Sequence, residues 1–370
     1  MSNKIKKEII PLGSISIVFR AEVSREVGFG HMIRCLNLVE GLPSKIKPYI
    51  IAKSDSNLVQ FTELLSKKGW EIIEIPSNIT MLEDAYLTAK YVSEFNASAL
   101  ITDLVHHENI AKPDNLVNYH RELKKYCVPF IMSIEDCRMT GYSSHVAIVP
   151  IPCKNVKPEL KKLDDCLVLS GYDNFIFDPK FFPTQKRFIR KRANKVFVCI
   201  GGTDPKGISL KIVESLDKLK KNNITAKIIL GSSSKNDQYI KLLEMCNDNP
   251  NLELLGFSNS INELFKWADI AIVGEGLVKY EAALTGTPSL LITQIDHDSD
   301  PIRGFIELGC SKYIGASNNL SHNIITNEIV RLLNDFSLRS VLSKKGLTIF
   351  ECNGVLNIYD KVLKKRLKYI

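Results

Sequence analysis

Two side chains suited to acid–base and anion chemistry, His31 and Arg34, lie three residues apart directly after a Gly-Phe-Gly turn at residues 28–30. The turn follows an apolar run at residues 15–19 that predicts a buried strand. It precedes apolar residues at helical spacing over residues 31–42. Free backbone N–H groups at a helix start, together with the helix dipole, bind anions such as phosphate. The pattern predicts an anion site carrying an imidazole and a guanidinium. The alternative is a turn that only packs helix on strand, with His31 as a capping or core residue.

The length and composition indicate a folded protein of two domains. The chain has 370 residues, which is too long for one ordinary hydrophobic core. Hydrophobic residues make up 45% of it, enough to fill the cores of two folded domains. No apolar run reaches eighteen residues, so we expect no integral membrane segment. The basic N-terminus lacks the apolar stretch and cleavage site of a secretory signal, which favours a cytoplasmic location.

The charge and cysteine content restrict the partners and the redox environment. Lys and Arg exceed Asp and Glu by 49 to 41, a net charge of +8 spread along the chain. No aromatic-interleaved basic motif accompanies this charge, so we expect a lysine-rich surface and no nucleic-acid partner. The nine cysteines include no Cys-x-x-Cys pair. We therefore expect buried free thiols in a reducing compartment.

Alternating strand and helix patterns occur twice along the chain. Strands are predicted at residues 15–19, 48–51, 71–75, 99–102, 129–134 and 146–149, and again at 195–200, 226–230, 252–255, 270–273 and 289–292. A proline- and lysine-rich connection, residues 150–194, separates the two runs. This predicts an α/β protein of two doubly wound, Rossmann-like parallel-sheet domains, residues 14–185 and 195–345, followed by a C-terminal helix at 346–370. The domains should face a central cleft, where the strand carboxyl ends bind ligands.

A Gly-Gly-Thr-Asp turn follows the first predicted strand of the second half. Gly201 and Gly202 permit close approach of a ligand and Thr203 offers a hydroxyl. Asp204 is a candidate ligand contact, with capping of the next helix as the simpler explanation.

A second glycine turn contains Gly274 and Gly276 and leads into a helix carrying Glu281. The turn would present backbone donors to a diphosphate, and the carboxylate of Glu281 could accept two ribose hydroxyls. The alternative is that Glu281 is an ordinary surface residue.

Together these motifs resemble the UDP-sugar hydrolases of the pseudaminic acid pathway, which are related to the MurG-like glycosyltransferases of GT-B fold. The opening motif matches in order and spacing at Arg20, Glu22, Ser24, residues 27–31 and residues 34–38. Later matches are Asp103, Glu135-Asp136, the stretch from Ser170 to Phe182, and residues 201–205. The resemblance covers residues 14–315 and implies a GT-B-like fold.

The resemblance also implies a reaction: His31 as general base activates a water that attacks the anomeric carbon and releases UDP, with no cofactor and no metal. It assigns substrate binding to Arg20, Glu22, Gly28, Gly30, Arg34, Asp103 and Tyr172. It assigns nucleotide binding to Gly201, Gly202, Thr203, Gly274, Gly276 and Glu281. Glu22 is a candidate to orient the imidazole.

Two segments depart from the family pattern. The nucleotide turn has Glu275, Leu277 and Val278 where the family has glycine and hydroxyl residues. The later Asn-Gln pair of the family is replaced near residues 296–300, where Asp296, His297, Asp298 and Asp300 stand. These changes leave the sugar and the nucleotide open.

Two other functions remain open: a GT-B glycosyltransferase in which His31 deprotonates an acceptor hydroxyl, and a nucleotide-sugar-binding protein without catalysis. A metal site is a further possibility, because Asp103, His106, His107 and Glu108 cluster after a strand, as do residues 296–298. Neither group has the His-x-x-x-His spacing of hydrolytic zinc sites, so we expect none.

Overall fold

The chain folds around two separate parallel sheets in the computed structural model. The structure describes residues 15–23, 30–42, 46–54, 62, 65, 69–104, 113–137, 139–151, 157–182, 187–201, 204, 206–230, 236–256, 260–294 and 300–367. Each sheet packs against two hydrophobic cores, one on each of its faces. The predicted α/β architecture of two doubly wound sheets is confirmed.

The first sheet has seven parallel strands. They are β1 (Ile15–Ala21), β2 (Ile46–Lys53), β3 (Glu71–Ile75), β4 (Ala99–Asp103), β5 (Ile131–Ile134), β6 (Val146–Val149) and β7 (Leu167–Ser170), in the order 3-2-1-4-5-6-7. The described helices on this sheet are α1 (Gly30–Gly41), α2 (Met81–Glu94) and α3 (Pro113–Lys125). The strand order reverses between β1 and β4, which is where open α/β sheets bind ligands.

The second sheet has six parallel strands. They are β8 (Lys195–Cys199), β9 (Thr225–Ile229), β10 (Leu252–Leu255), β11 (Ile270–Val273), β12 (Ser289–Thr293) and β13 (Lys312–Ala316), in the order 10-9-8-11-12-13. Its helices are α4 (Ile208–Asp217), α5 (Asn236–Asp248), α6 (Ile261–Trp267), α7 (Val278–Leu284), α8 (Asp300–Leu308), α9 (His322–Asn334) and α10 (Phe336–Ile349). Here the order reverses between β8 and β11.

Two edge strands, β7 and β13, are not predicted by the sequence patterns. β7 lies inside the proline- and lysine-rich stretch that is predicted to be only a connection, and its exposed Leu167 gives it no clean alternation. β13 contains Gly315 in a backbone conformation with φ of 127°, which weakens its strand pattern. Both β7 and β13 lie at the edge of a sheet and pair with one neighbouring strand. This pairing, and not a pattern in their own residues, makes them strands.

The segment after α10 returns to the first sheet. It comprises α11 (Gly354–Ile358), a π-helical turn (Tyr359–Leu363) and α12 (Lys364–Leu367). Its apolar side chains enter the core of the first sheet: Val355, Ile358, Val362, Leu363 and Leu367. A β-carbon on Gly354 would overlap the carbonyl oxygen of Phe175. The helix expected at the chain's end therefore completes the first core.

The basic part of the connection is bound to the second domain. Arg187 donates to the carbonyl of Phe265 at 2.7 Å, and Arg190 pairs with Asp269 at 2.7 Å. Burial lowers the pKa of Arg187 to about 10. The buried Arg339 donates to the Arg190 carbonyl from α10 at 2.8 Å. These cations fix the connection by satisfying buried carbonyl groups.

The cysteine prediction is confirmed only in part. Seven of the described cysteines are free, and Cys35, Cys166, Cys199 and Cys310 among them are buried. Cys137 is instead disulfide-bonded, which corrects the expectation of free thiols throughout. Among the residues that the structure describes, no helix is long and apolar enough to span a bilayer.

Candidate active site between the two sheets

The carboxylate of Asp103 organises the site on the first sheet. Asp103 is the last residue of β4 and pairs in register with Ala21 of β1, at the reversal of strand order. His31 lies in the first turn of α1 and Arg34 one turn later, so both share the helix face over Asp103. Asp103 Oδ1 lies 2.6 Å from His31 Nδ1 and accepts from Arg34 Nη2 at 2.7 Å, while Oδ2 accepts from Arg34 Nε at 2.8 Å.

These contacts determine the protonation of the group. Burial alone would raise the pKa of Asp103, which is 0% exposed, but Arg34 and His31 together hold this pKa below its usual value. Because the carboxylate is ionised, we assign the proton of His31 to Nδ1, where it is donated to Asp103. Nε2 then carries the lone pair and makes no hydrogen bond with any described residue. His31 is 22% exposed, so its Nε2 has the geometry of a general base.

Arg20 lies in a second, buried network. Its guanidinium makes two hydrogen bonds to Asp84 of α2, Nε to Oδ1 at 3.0 Å and Nη2 to Oδ2 at 2.7 Å. Tyr119 of α3 donates to the same carboxylate at 3.0 Å. Arg20 Nη2 also lies 3.5 Å from Glu22. Arg20 is 1% exposed, so its contacts join β1, α2 and α3 below the site.

The structure changes the orienting residue suggested from the sequence. Glu22 contacts Arg20, whereas Asp103 contacts His31. Arg34 is expected in the anion site. Its Nε and Nη2 donate hydrogen bonds to Asp103, whereas its Nη1 makes no hydrogen bond to the described residues. Tyr172 lies in a 3₁₀ turn after β7, and burial raises its pKa to about 12.

The glycine turns of the second sheet differ in packing. A β-carbon on Gly274 would overlap the carbonyl oxygen of Ile200, so this glycine lets the turns after β8 and β11 touch. Gly201, with φ of 123°, and Gly276 both face open space within 4 Å. Asp204 caps α4 by accepting from the N–H groups of Ile208 and Ser209, both at 2.8 Å. The capping explanation for Asp204 is therefore confirmed.

Two ionisable groups with unusual pKa values follow the second turn. Lys279 is buried and its ammonium donates to the carbonyls of Glu275 and Gly276. Burial lowers the pKa of Lys279 to about 7, although Glu275 opposes this shift. Burial raises the pKa of Glu281 to about 7, and Asp178 adds to the shift. Glu275 accepts from the N–H of Gln294 at 3.4 Å.

Contacts bring the two halves of the site together. A β-carbon on Gly30, where α1 begins, would lie 3.8 Å from Leu277 Cδ1 at the start of α7. Three aromatic rings pack around Tyr280 of α7: Tyr172 and Phe175, which follow β7, and Phe350, which follows α10. The beginnings of α1 and α7 therefore lie next to each other.

Several candidates fall outside the described residues: Gly28, Gly202, Thr203, His106, His107, Glu108, Asp296, His297 and Asp298. Only the helical backbone of Asp300 is described, at the start of α8. Within the described part of the chain, no group of three or more His, Cys, Asp or Glu residues is arranged to hold a metal ion.

Comparisons with known proteins find relatives in sequence and in structure. No family model matches the chain. The chain is 21% identical over 342 residues to the spore coat polysaccharide biosynthesis protein SpsG of Bacillus subtilis, covering 91% of this chain and 95% of that protein. It is 24% identical over 279 residues to the UDP-2,4-diacetamido-2,4,6-trideoxy-beta-L-altropyranose hydrolase of Campylobacter jejuni, covering 73% and 88%.

The crystal structure of Acinetobacter baumannii MurG superposes with a TM-score of 0.65 at 13% identity, covering 95% of this chain and 99% of MurG. The chain is a distant homologue of SpsG and of the hydrolase, with a GT-B fold. The resemblance noted in the sequence motifs is thus confirmed, and so is the GT-B-like architecture.

Sequence reasoning missed Asp84, Tyr119, Lys279 and Tyr280. Asp84 and Tyr119 come from α2 and α3, and no motif links them to Arg20. Lys279 and Tyr280 lie within the second glycine motif. In a helix, however, a lysine ordinarily indicates an exposed position and a tyrosine a position in the core, so neither residue predicts a site. A charged residue three positions after a turn rich in glycine is the one local signal for Lys279.

Proposed function

We propose that the chain is a nucleotide-sugar hydrolase that releases UDP from a UDP-linked amino or deoxy sugar. The observation that carries the proposal is the contact of His31 Nδ1 with the buried Asp103 carboxylate, which leaves Nε2 as a base at the cleft. The relationship to a UDP-sugar hydrolase and to a polysaccharide biosynthesis protein supports the substrate class. We further propose a role in making a nonulosonic acid such as pseudaminic acid for a surface glycan.

In this mechanism, His31 Nε2 takes a proton from a water molecule as its oxygen attacks the anomeric carbon. The bond between that carbon and the glycosidic oxygen breaks, and the electron pair leaves with UDP. The Asp103 carboxylate stabilises the imidazolium that forms, because it accepts a hydrogen bond from His31 Nδ1–H before and after the proton transfer and stays ionised. Positioned proton transfer of this kind contributes about 10²–10⁴-fold to the rate. No cofactor and no metal enter the proposal.

The second sheet would hold the nucleotide. The open sides of Gly201 and Gly276 are free to contact a diphosphate, and Gly202 and Thr203 belong to the same proposed site. Glu281 lies one turn into α7, where its carboxylate could accept both ribose hydroxyls. Its pKa of about 7 indicates a buried carboxylate that no cation among the described residues stabilises.

A glycosyltransferase is the second candidate. The apolar Leu277 and Val278 in the nucleotide turn and the structural likeness to MurG favour it. In that case His31 would deprotonate an acceptor hydroxyl in place of water. We propose further that the protein is cytoplasmic and binds no nucleic acid.

One experiment separates these functions. The protein is incubated with UDP-sugars in ¹⁸O-labelled water, with and without candidate acceptors, and followed by NMR and mass spectrometry. Hydrolysis at the anomeric carbon places ¹⁸O in the free sugar and none in UDP. Label in UDP would contradict the mechanism. Turnover that requires an acceptor would establish the transferase, and binding without turnover in either condition would establish a binding protein.

A further inference from the structure

Lys279, in the first turn of α7, is buried against the glycine turn that follows β11. It is 4% exposed, and its ammonium donates to two successive carbonyl oxygens of that turn, those of Glu275 and, at 3.2 Å, Gly276. A buried ammonium costs free energy unless it is hydrogen-bonded. The two carbonyls therefore hold the ammonium in place, and the ammonium holds them.

Aromatic rings fix the position of the same ammonium from another direction. Lys279 Nζ lies 4.2 Å from the ring centroid of Tyr280 and 5.5 Å from that of Phe305. These two rings pack edge-on against each other with their centroids 5.0 Å apart. Since ring faces attract cations, the ammonium is a fixed point against which the turn is held.

The two carbonyls belong to peptide units whose N–H groups are unused. The carbonyl of Glu275 shares a peptide unit with the N–H of Gly276, and the carbonyl of Gly276 shares one with the N–H of Leu277. Neither N–H donates a hydrogen bond to a described residue. Gly276 is exposed and Leu277 is partly exposed. Because a trans peptide unit is planar, holding its carbonyl also fixes the direction of its N–H.

We infer that Lys279 is a positioning residue for nucleotide binding: by holding the carbonyls of Glu275 and Gly276, it directs the N–H groups of Gly276 and Leu277 at the diphosphate. This inference rests on the proposed function. It also explains how a turn with the apolar Leu277 and Val278 can bind an anion, because backbone donors need no hydroxyl side chains beside them.

The contact does not require a particular charge on Lys279. Burial lowers the pKa of Lys279 to about 7. A lysine amine that has lost its proton still carries two N–H donors, one for each carbonyl. The turn is therefore held on either side of that pKa.

The first test compares Lys279→Met with Lys211→Met, since methionine has a similar shape and no donor. Lys211 of α4 is the matched control, because its ammonium also donates to two carbonyls, those of Ser317 and Leu320, both at 3.0 Å. We expect Lys279→Met to lower UDP affinity in calorimetry by about 10- to 100-fold, as loss of a hydrogen bond to a charged group does. Uridine affinity, measured by ligand-observed NMR, should be unchanged. Lys211→Met should change neither affinity.

A second test uses the unaltered protein, so it does not depend on the variant folding. With ¹⁵N-labelled glycine and leucine, UDP should move the amide proton resonances of Gly276 and Leu277 downfield, as a hydrogen bond to phosphate does. Uridine should not move them. In Lys279→Met saturated with UDP, both shifts should be smaller.

The outcomes distinguish this inference from the proposed function. Unchanged UDP affinity in Lys279→Met, an equal loss for uridine, or the same loss in Lys211→Met overturns the positioning role while the hydrolase proposal stands. Amide resonances that UDP does not move also overturn it. Equal shifts in the parent and in Lys279→Met overturn it too, since the lost affinity then reflects charge alone. A parent protein that binds no UDP overturns the proposed function together with this inference.

Discussion

At the scale of single residues, His31 and Asp103 have separable roles. His31→Ala removes the proposed base, and Asp103→Asn removes the charge that stabilises the imidazolium. We expect His31→Ala to lower single-turnover cleavage of the UDP-sugar by about 10²–10⁴-fold with UDP affinity nearly unchanged. Asp103→Asn should also slow cleavage, and it should destabilise the fold because Arg34 loses its buried partner. Full turnover in His31→Ala would make His31 a packing residue.

Glu281 predicts how nucleotide affinity depends on pH. Its pKa in the free protein is about 7, and the carboxylate is the form that accepts ribose hydroxyls. Binding therefore requires loss of a proton below pH 7, and we expect UDP affinity to fall up to about tenfold per pH unit there and to level off above it. Calorimetry at pH 5.5 to 8.5 measures this. Glu281→Gln should bind more weakly at pH 8 and show a smaller slope, because only the ionisation of the UDP phosphate then remains; the same slope in both proteins would exclude Glu281 as a source.

The Glu281 carboxylate also affects the stability of the fold, and here the ionised form is the unfavourable one. Its folded pKa of about 7 exceeds the ordinary value of 4.5, so the folded state binds more protons between these pH values. Stability therefore declines as pH rises from 4.5 to 7, and the loss is complete above 7. Glu281→Gln should be more stable than the parent at pH 8, by on the order of 1–3 kcal/mol, and should lose this advantage near pH 4.5. Denaturant unfolding at both pH values measures the difference.

At the scale of elements, the glycine turn after β11 offers a matched pair of variants. Gly274→Ala places a methyl group on the Ile200 carbonyl, whereas Gly276→Ala places one in open space. We expect Gly274→Ala to destabilise the second domain by about 1–3 kcal/mol, as overpacking does. Gly276→Ala should leave the melting temperature unchanged and weaken UDP binding, because its methyl group occupies the proposed diphosphate position. A Gly276→Ala protein with unaltered UDP affinity would remove this turn from the site.

The strand–turn–helix units are predictable because hydrophobic periodicity and glycine turns are local signals. These signals are sufficient to place His31 and Glu281 just beyond the carboxyl ends of strands. The pairing of Arg20 with Asp84, 64 residues away, is not predictable, since no local pattern records which distant helix packs on a strand. The edge strands β7 and β13 escape prediction for a similar reason: their pairing partner, more than their composition, makes them strands.

At the scale of the whole molecule, the return of residues 354–367 makes a specific prediction about stability. Leu363 is 0% exposed in the core of the first sheet, whereas Leu356 on the same segment is 52% exposed. Leu363→Ala should destabilise the first domain by about 2–5 kcal/mol, and Leu356→Ala by about 0.5 kcal/mol or less.

The two tryptophans allow each domain to be followed separately in that experiment. Trp70 packs on the first core and Trp267 on the second. Denaturant unfolding of a Trp267→Phe background reports on Trp70, and a Trp70→Phe background reports on Trp267. Leu363→Ala should shift the Trp70 transition by the amount given. A shift confined to Trp267 would show that the segment stabilises the second domain.

The same return has a consequence for how the protein is made. Residues 354–367 leave the ribosome long after β1 to β7, yet they supply part of the core of the first sheet. Domains generally fold in order as they are synthesised. Here the first domain must wait, with apolar surface uncovered, while the entire second domain is translated. A nascent chain arrested within the second sheet therefore leaves uncovered the apolar surface that Val355, Ile358 and Leu363 cover in the folded protein.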